Sequence, residues 1–336
     1  MINGHGDDLY RYGYKVKHNF SSNILQRVDH SGLYEAMAKS MPDLTSYPDP
    51  EPLRLERMMA TCAGVDDSDV MATNGATEAI YTLASCFKGA TSAIMTPTFS
   101  EYADACRLSG HKVISFTDIN AMPCEAIDCV WICNPNNPTG SVIDKRIIVD
   151  KIKSHPQITF ILDHAYCDYS ERDMISEAEG VEMGNVVMLY SMTKRYSVPG
   201  LRLGYAVGSA RIIDKMKSRR MPWSINKVSE QAAIYLMEHA SEYQIDAHTL
   251  HAEALRISEA FRSMGLTVDD TDCNFLLSRL PEGSARELKE RLMSEYGILI
   301  RDASNFEGLT SGHFRVAAQT PEQNDLLIEA LAKCIG

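Results

Sequence analysis

Short apolar runs recur along the chain, separated by longer segments in which apolar residues return every three or four positions. The runs Ala93–Thr96, Lys112–Phe116, Cys129–Cys133, Thr159–Leu162, Val186–Tyr190 and Tyr205–Gly208 have the length and side-chain content of buried strands. Between them, Thr77–Cys86, Ser100–Ser109 and Asp144–Lys153 read as helices. Strands alternating with helices predict an α/β fold with a mainly parallel sheet covered on both faces. The segment Ala210–Arg220 is rich in Lys and Arg and reads as a solvated helix face. A long helical pattern, Val228–Arg262, follows Pro222-Trp223 and predicts a bridge to a smaller domain. That domain would hold strands at Phe275–Leu277 and Ile298–Ile300 and helices at Ala285–Glu295 and Pro321–Lys333. Tyr47-Pro48-Asp49-Pro50-Glu51-Pro52 predicts an extended loop, because proline disfavours helix in the residue before it.

Bulk properties narrow the picture. A chain of 336 residues suits two domains. The net charge of −12 argues against a broad nucleic-acid surface, so an anionic substrate would need local arginines. The nine cysteines are odd in number and form no CxxC pair, which points away from a zinc site and from a disulfide scaffold. They read as small core residues in a reducing compartment. The opening segment lacks an apolar signal region, and no apolar run approaches the ~20 residues that span a bilayer. A cytoplasmic protein without a membrane partner is expected.

Candidate chemistry centres on Lys194, which follows the apolar run Val186–Tyr190. A lysine at the end of a buried strand has a charge that is costly to desolvate, so its pKa should fall. A neutral amine is the form that attacks a carbonyl. Alone, this lysine reads more simply as a surface residue. Four further segments change that reading: Asn74-Gly75-Ala76-Thr77-Glu78, Asn134-Pro135-Asn136-Asn137-Pro138-Thr139-Gly140, Asp163-His164-Ala165-Tyr166 and Phe314-Arg315-Val316. In this order, around Ser191–Tyr205, they resemble the fold-type I pyridoxal-phosphate (PLP) enzymes, the class I/II aminotransferases. The resemblance covers nearly the whole chain.

The resemblance implies a large domain with a mainly parallel seven-stranded sheet flanked by helices, plus a smaller α+β domain. Residues 1–46 would form an N-terminal arm and part of the small domain, 47–225 the PLP-binding domain, and 226–336 a bridging helix and the C-terminal small domain. It implies PLP as cofactor and no metal. Lys194 would hold PLP, Asp163 would pair with the ring nitrogen, and Tyr166 and Asn137 would meet the phenolate oxygen. Phe99 would stack on the ring. Gly75, Ala76 and Thr77 open a helix whose N-terminus suits the phosphate, with Ser191 and Arg202 beside it. Tyr47 would reach the phosphate of a neighbouring subunit, making the protein a homodimer. Arg315 would clamp a substrate carboxylate through its fork, with Asn137 nearby. Arg301 and His5 would serve a second anionic group on the substrate.

Within the family, several segments resemble the threonine-phosphate decarboxylase branch, with the histidinol-phosphate aminotransferase branch next. They are Leu299–Leu309, Thr193, Pro199-Gly200-Leu201-Arg202, Pro222–Asn226 and His5-Gly6-Asp7-Asp8. Both branches imply a small amino compound bearing a phosphate ester, decarboxylated or transaminated. The chain departs from the branch pattern at Asp7, Ser46, His164 and Gln319, all expected at the substrate end. A nicotinamide dehydrogenase is disfavoured, since no GxGxxG follows a first strand.

Overall fold

A computed structural model describes residues 7–335. Its centre is a seven-stranded sheet in the order Val70–Thr73, Gly204–Gly208, Val186–Ser191, Thr159–Asp163, Cys129–Cys133, Thr91–Met95 and Lys112–Phe116. Gly204–Gly208 runs antiparallel to both neighbours, and the other neighbouring pairs are parallel. The central strands are buried on both faces, as their unbroken apolar runs require.

The two-residue alternation of a strand decides which chemistry goes where. Cys129, Trp131, Cys133, Ile161, Val187 and Leu189 face one core, packed by Ile80 and Leu83 from the helix Gly75–Cys86, by Tyr102 and by Met216. Val130, Ile132, Phe160, Leu162 and Met188 face the other, packed by Leu55, Met59, Ile148 and Ile152. Asp163 ends its strand in the register of Ile161, so it belongs to the first face. His164 turns to the second.

A four-stranded antiparallel sheet, in the order Arg301–Asp302, His313–Ala317, Phe275–Arg279 and Thr267–Val268, has a separate core with the helices Ala247–Ser263, Ala285–Tyr296 and Pro321–Ile335. The N-terminal pair His18–Asn19 joins Ile298–Leu299 in parallel, tying residues near the start of the chain to this unit.

Three expectations need correction. The pattern Val228–Arg262 is two helices, Lys227–Glu238 and Ala247–Ser263, with a short 3-10 turn at Ala240–Glu242. The second helix has its own cap: the Asp246 carboxylate accepts from the Thr249 amide at 3.0 Å, so the pattern restarts there. The helix Ala210–Lys217 is amphipathic, with Ile212, Ile213 and Met216 buried beneath its basic face. The strand Ile298–Ile300 divides into Ile298–Leu299 and Arg301–Asp302, which pair with different partners.

Candidate active site

The carboxyl ends of the central strands open into a cavity of about 280 Å3, where open α/β sheets bind ligands. Asp163, from the strand end, is buried there. Its Oδ2 accepts from the Tyr102 hydroxyl at 2.6 Å and its Oδ1 from the Ala165 amide at 2.9 Å. Burial raises its carboxyl above the usual range, and the Tyr102 hydrogen bond pulls it back.

Lys194 sits in the short helix Met192–Arg195 directly after the strand Val186–Ser191. Its carbonyl accepts from the Tyr169 hydroxyl at 2.8 Å, which fixes the turn. Its Nζ donates to the Ser22 carbonyl at 3.0 Å and lies 5.7 Å from the centre of the Tyr166 ring. Burial lowers the amine to about 8, with Arg315 pushing the same way and Asp7 opposing. The expected fall in pKa therefore has its expected cause.

One end of the cavity is built for an anion. Gly75 begins its helix at a φ of +78°, and a Cβ there would lie 2.8 Å from Arg202 Nη2. Gly204 is as tightly placed: a Cβ would meet the Ala76 amide nitrogen at 2.6 Å. Two glycines thus let a helix N-terminus, a strand and a guanidinium converge, with Thr77 and Ser191 alongside. Unpaired N–H groups and the helix dipole favour negative charge here.

The cavity also holds two arginines from paired strands, Arg301 directly opposite Arg315. Both are buried. Arg315 donates to Asn137 Oδ1 and to the Ser21 carbonyl, and its Nε has no partner. Arg301 donates to Asn305 Oδ1 at 2.8 Å and lies over the Phe306 ring. Burial lowers both guanidinium pKa values, that of Arg315 to about 10. No carboxylate among the described residues forms an ion pair with either arginine, although Asp302 and Asp8 act on Arg301 from a distance.

Asn137 owes its position to its neighbour. Asn136 Nδ2 donates to the Pro97 carbonyl and to Thr139 Oγ1, both at 2.9 Å, and its Oδ1 accepts from Thr98 at 3.0 Å. This clamps the Asn-Asn-Pro-Thr-Gly loop against Pro97-Thr98-Phe99. Phe99 borders the cavity and meets Tyr102 edge-on at 5.8 Å.

The structure thus brings Ala76, Thr77, Phe99, Asn137, Asp163, Tyr166, Ser191, Lys194, Arg202, Arg301 and Arg315 around one cavity, with Gly75 supplying backbone beside Arg202. Tyr47 is elsewhere: it is 87% exposed, its ring 5.7 Å from that of Trp223. His5 lies outside the described residues. Sequence reading missed Ser21 and Ser22, buried residues of the N-terminal segment that line the cavity, and Tyr102, bonded to Asp163. Only the spacing of Tyr102 three residues after Phe99 hinted at a shared helical face. Of the four departures, only Asp7 lines the cavity, at a φ of 67° and holding Asn19 through its carboxylate. His164 faces the opposite core, 3.4 Å from the Tyr190 hydroxyl, and burial lowers it to about 4. Ser46 is exposed. Gln319 braces the segment before the site by bonding Gln26 and Ile24. A second cavity of about 400 Å3 on that opposite face has Arg195 as its single arginine, already paired with Asp168. The smaller cavity is therefore the one equipped for an anionic ligand.

Comparison with known proteins bears on the fold and the family. The family described as aminotransferase class I and II matches residues 15–331. A threonine-phosphate decarboxylase of Salmonella typhimurium is 32% identical over 93% of this chain and 90% of its own length. A histidinol-phosphate aminotransferase of Caldanaerobacter subterraneus is 27% identical, covering 90% of each chain. Among solved structures, the L-threonine-O-3-phosphate decarboxylase of Porphyromonas gingivalis superposes with a TM-score of 0.92 at 33% identity, covering 95% of this chain and 99% of that one. With a family match spanning most of its length and relatives above 30% identity, this chain belongs to the class I and II aminotransferase family.

Proposed function

We propose that this chain is a PLP-dependent decarboxylase of L-threonine O-3-phosphate or a close phosphorylated amino acid. The observation that carries the reading is the pair Arg301 and Arg315. Two guanidinium groups side by side, buried and bonded only to neutral oxygens, are costly unless a ligand brings matching charge. A substrate with both a carboxylate and a phosphate supplies it. The likeness to decarboxylases, at 32–33% identity, exceeds that to the aminotransferases, at 26–28%. This favours loss of carbon dioxide over transamination of histidinol phosphate.

PLP fits the remaining residues. Its phosphate matches the cradle of Gly75, Ala76, Thr77 and Arg202, where even a Cβ would collide. The buried hydroxyl of Thr193, beside the lysine, has no protein partner and is free for the cofactor. Bound PLP supplies an electron sink for the bond broken at the substrate α-carbon. Asp163, held as an acceptor by Tyr102 and the Ala165 amide, would keep a proton on the ring nitrogen. Tyr166 and Asn137 would hold the phenolate oxygen, and Phe99 would cover the ring. Lys194, lowered to about 8, holds roughly a tenth of its population as neutral amine at pH 7, far more than an ordinary lysine, so it can attack a carbonyl and later take or return a proton. Arg315 and Arg301 would grip the two anionic groups of the substrate, and their fixed spacing would orient its α-carbon. Ser21 and Ser22 add buried polar lining from the N-terminal segment.

We read residues 47–225 as the cofactor domain and the separate C-terminal core as the small domain. The exposed aromatic Tyr47, on a proline-rich loop beside exposed Trp223 and Met221, supports a homodimer in which Tyr47 reaches the partner's site. Nine unbridged cysteines support a reducing, cytoplasmic setting.

Two incubations test the reading. With L-threonine O-3-phosphate the purified, PLP-loaded protein should release carbon dioxide stoichiometrically. With histidinol phosphate and 2-oxoglutarate it should form no more than trace glutamate. Rapid glutamate formation without carbon dioxide from the first substrate would replace the decarboxylase with the aminotransferase.

A further inference from the structure

Asp163 has two carboxylate oxygens, and both carry protein donors. The Ala165 amide on Oδ1 is a backbone group two residues away, a turn feature any residue at 165 could supply. The donor on Oδ2 is a side chain from another element. Tyr102 lies 61 positions earlier, in the helix Glu101–Leu108, and its hydroxyl reaches Oδ2 at 2.6 Å, the short distance of a bond to an ionised acceptor. Its ring is clamped between Trp131, stacked at 5.8 Å, and the edge of Phe99 at 5.8 Å. Tyr102 is 1% exposed and so cannot exchange this bond for one with water.

We propose that Tyr102 is a positioning residue that sets where the proton shared by Asp163 and the cofactor ring nitrogen resides. The proposal rests on the reading of Asp163 given above. A buried carboxylate without donors is a strong base and would draw the shared proton to itself, leaving the ring nitrogen neutral and a poor electron acceptor. Donation from Tyr102 stabilises the anion, weakens the carboxylate as a base and leaves the proton on the ring. Burial and the Tyr102 bond act on the Asp163 carboxyl in these opposite senses. The Tyr102 hydroxyl itself is held far above its usual pKa by burial and by Asp163, so it stays protonated as a donor at every working pH.

The test is 15N NMR of the protein loaded with PLP labelled at the ring nitrogen, titrated with pH, since that shift separates protonated from unprotonated pyridine nitrogen. Tyr102→Phe retains the ring that stacks on Trp131 and removes only the hydroxyl. It should lower the proton affinity of the ring nitrogen about tenfold, moving the titration midpoint down by about one pH unit. Circular dichroism and melting should stay close to wild type. If the Phe variant fails to fold, 3-fluorotyrosine at position 102 retains shape and strengthens the donor, and should move the midpoint up. Asp163→Asn serves as the reference. If it shifts the midpoint and neither Tyr102 variant does, the role of Tyr102 is overturned while that of Asp163 stands. If Asp163→Asn also leaves it unmoved, both are overturned.

Discussion

At the scale of single residues, the site is a set of charges kept in unfavourable company. Lys194 is the clearest case. Its folded pKa of about 8 lies below the unfolded value of 10.5, chiefly through burial. Between those values the unfolded chain binds more protons than the native one, so stability rises with pH. The penalty is fully present below pH 8 and disappears toward pH 10.5. It amounts to on the order of 3 kcal/mol. Cofactor-free Lys194→Met should therefore be more stable than wild type at pH 7, with the gap closing by pH 10.5. Denaturant titrations of both proteins across this range measure it, and a constant gap would mean the amine is not desolvated. The same variant should be inactive, whereas a surface lysine would be dispensable. This stability cost at a site is what function predicts, since a residue tuned for the fold alone would not be left there.

At the scale of elements, glycines decide how closely the proposed phosphate cradle closes. Gly204 lets its strand touch the start of the helix Gly75–Cys86, and a Cβ would strike the backbone of Gly75, Ala76 and Tyr190 within 2.8 Å. Backbone cannot swing aside as a side chain can. Gly204→Ala should cost about 1–3 kcal/mol through overpacking and weaken PLP binding by displacing the helix N-terminus. Gly75→Ala should weaken PLP binding as well, through its φ of +78° and the contact with Arg202. Fluorescence titration of apoprotein with PLP reads both, and unaltered affinity would place the phosphate elsewhere. Elements were legible in the sequence where their signal was local. Cys129–Cys133 is found at the expected bounds because it is a single unbroken apolar run, and Lys112–Phe116 because Val113, Ile114 and Phe116 mark a short edge strand. Val70–Thr73 was missed: four residues after an acidic turn carry too little pattern, and their place comes from pairing with Gly204–Gly208. The residues of the site carried by motifs were legible for the same reason. Ser21, Ser22 and Tyr102 were not, because only packing between distant segments brings them to the cavity.

At the scale of the whole molecule, each cavity draws residues from three parts of the chain: the N-terminal segment, the strand ends of the large sheet, and the arginine strands of the small one. Tyr47 would add a fourth part from a second copy. Mixing Lys194→Ala with Tyr47→Ala should create heterodimers with one doubly defective site and one intact site. Activity per heterodimer should return to about half that of wild type, although each parent is impaired. Heterodimers verified by native mass spectrometry yet inactive would mean that each site is built within one chain.

The central claim is that a cofactor carbonyl meets the amine of Lys194 in this cavity. It is tested most directly by loading the protein with PLP, reducing it with borohydride, digesting it and mapping the modified peptide by mass spectrometry. The account predicts one modified residue, Lys194, in the peptide that spans Ser191 to Arg202. Attachment at another lysine, or none in a protein that binds PLP, would contradict it.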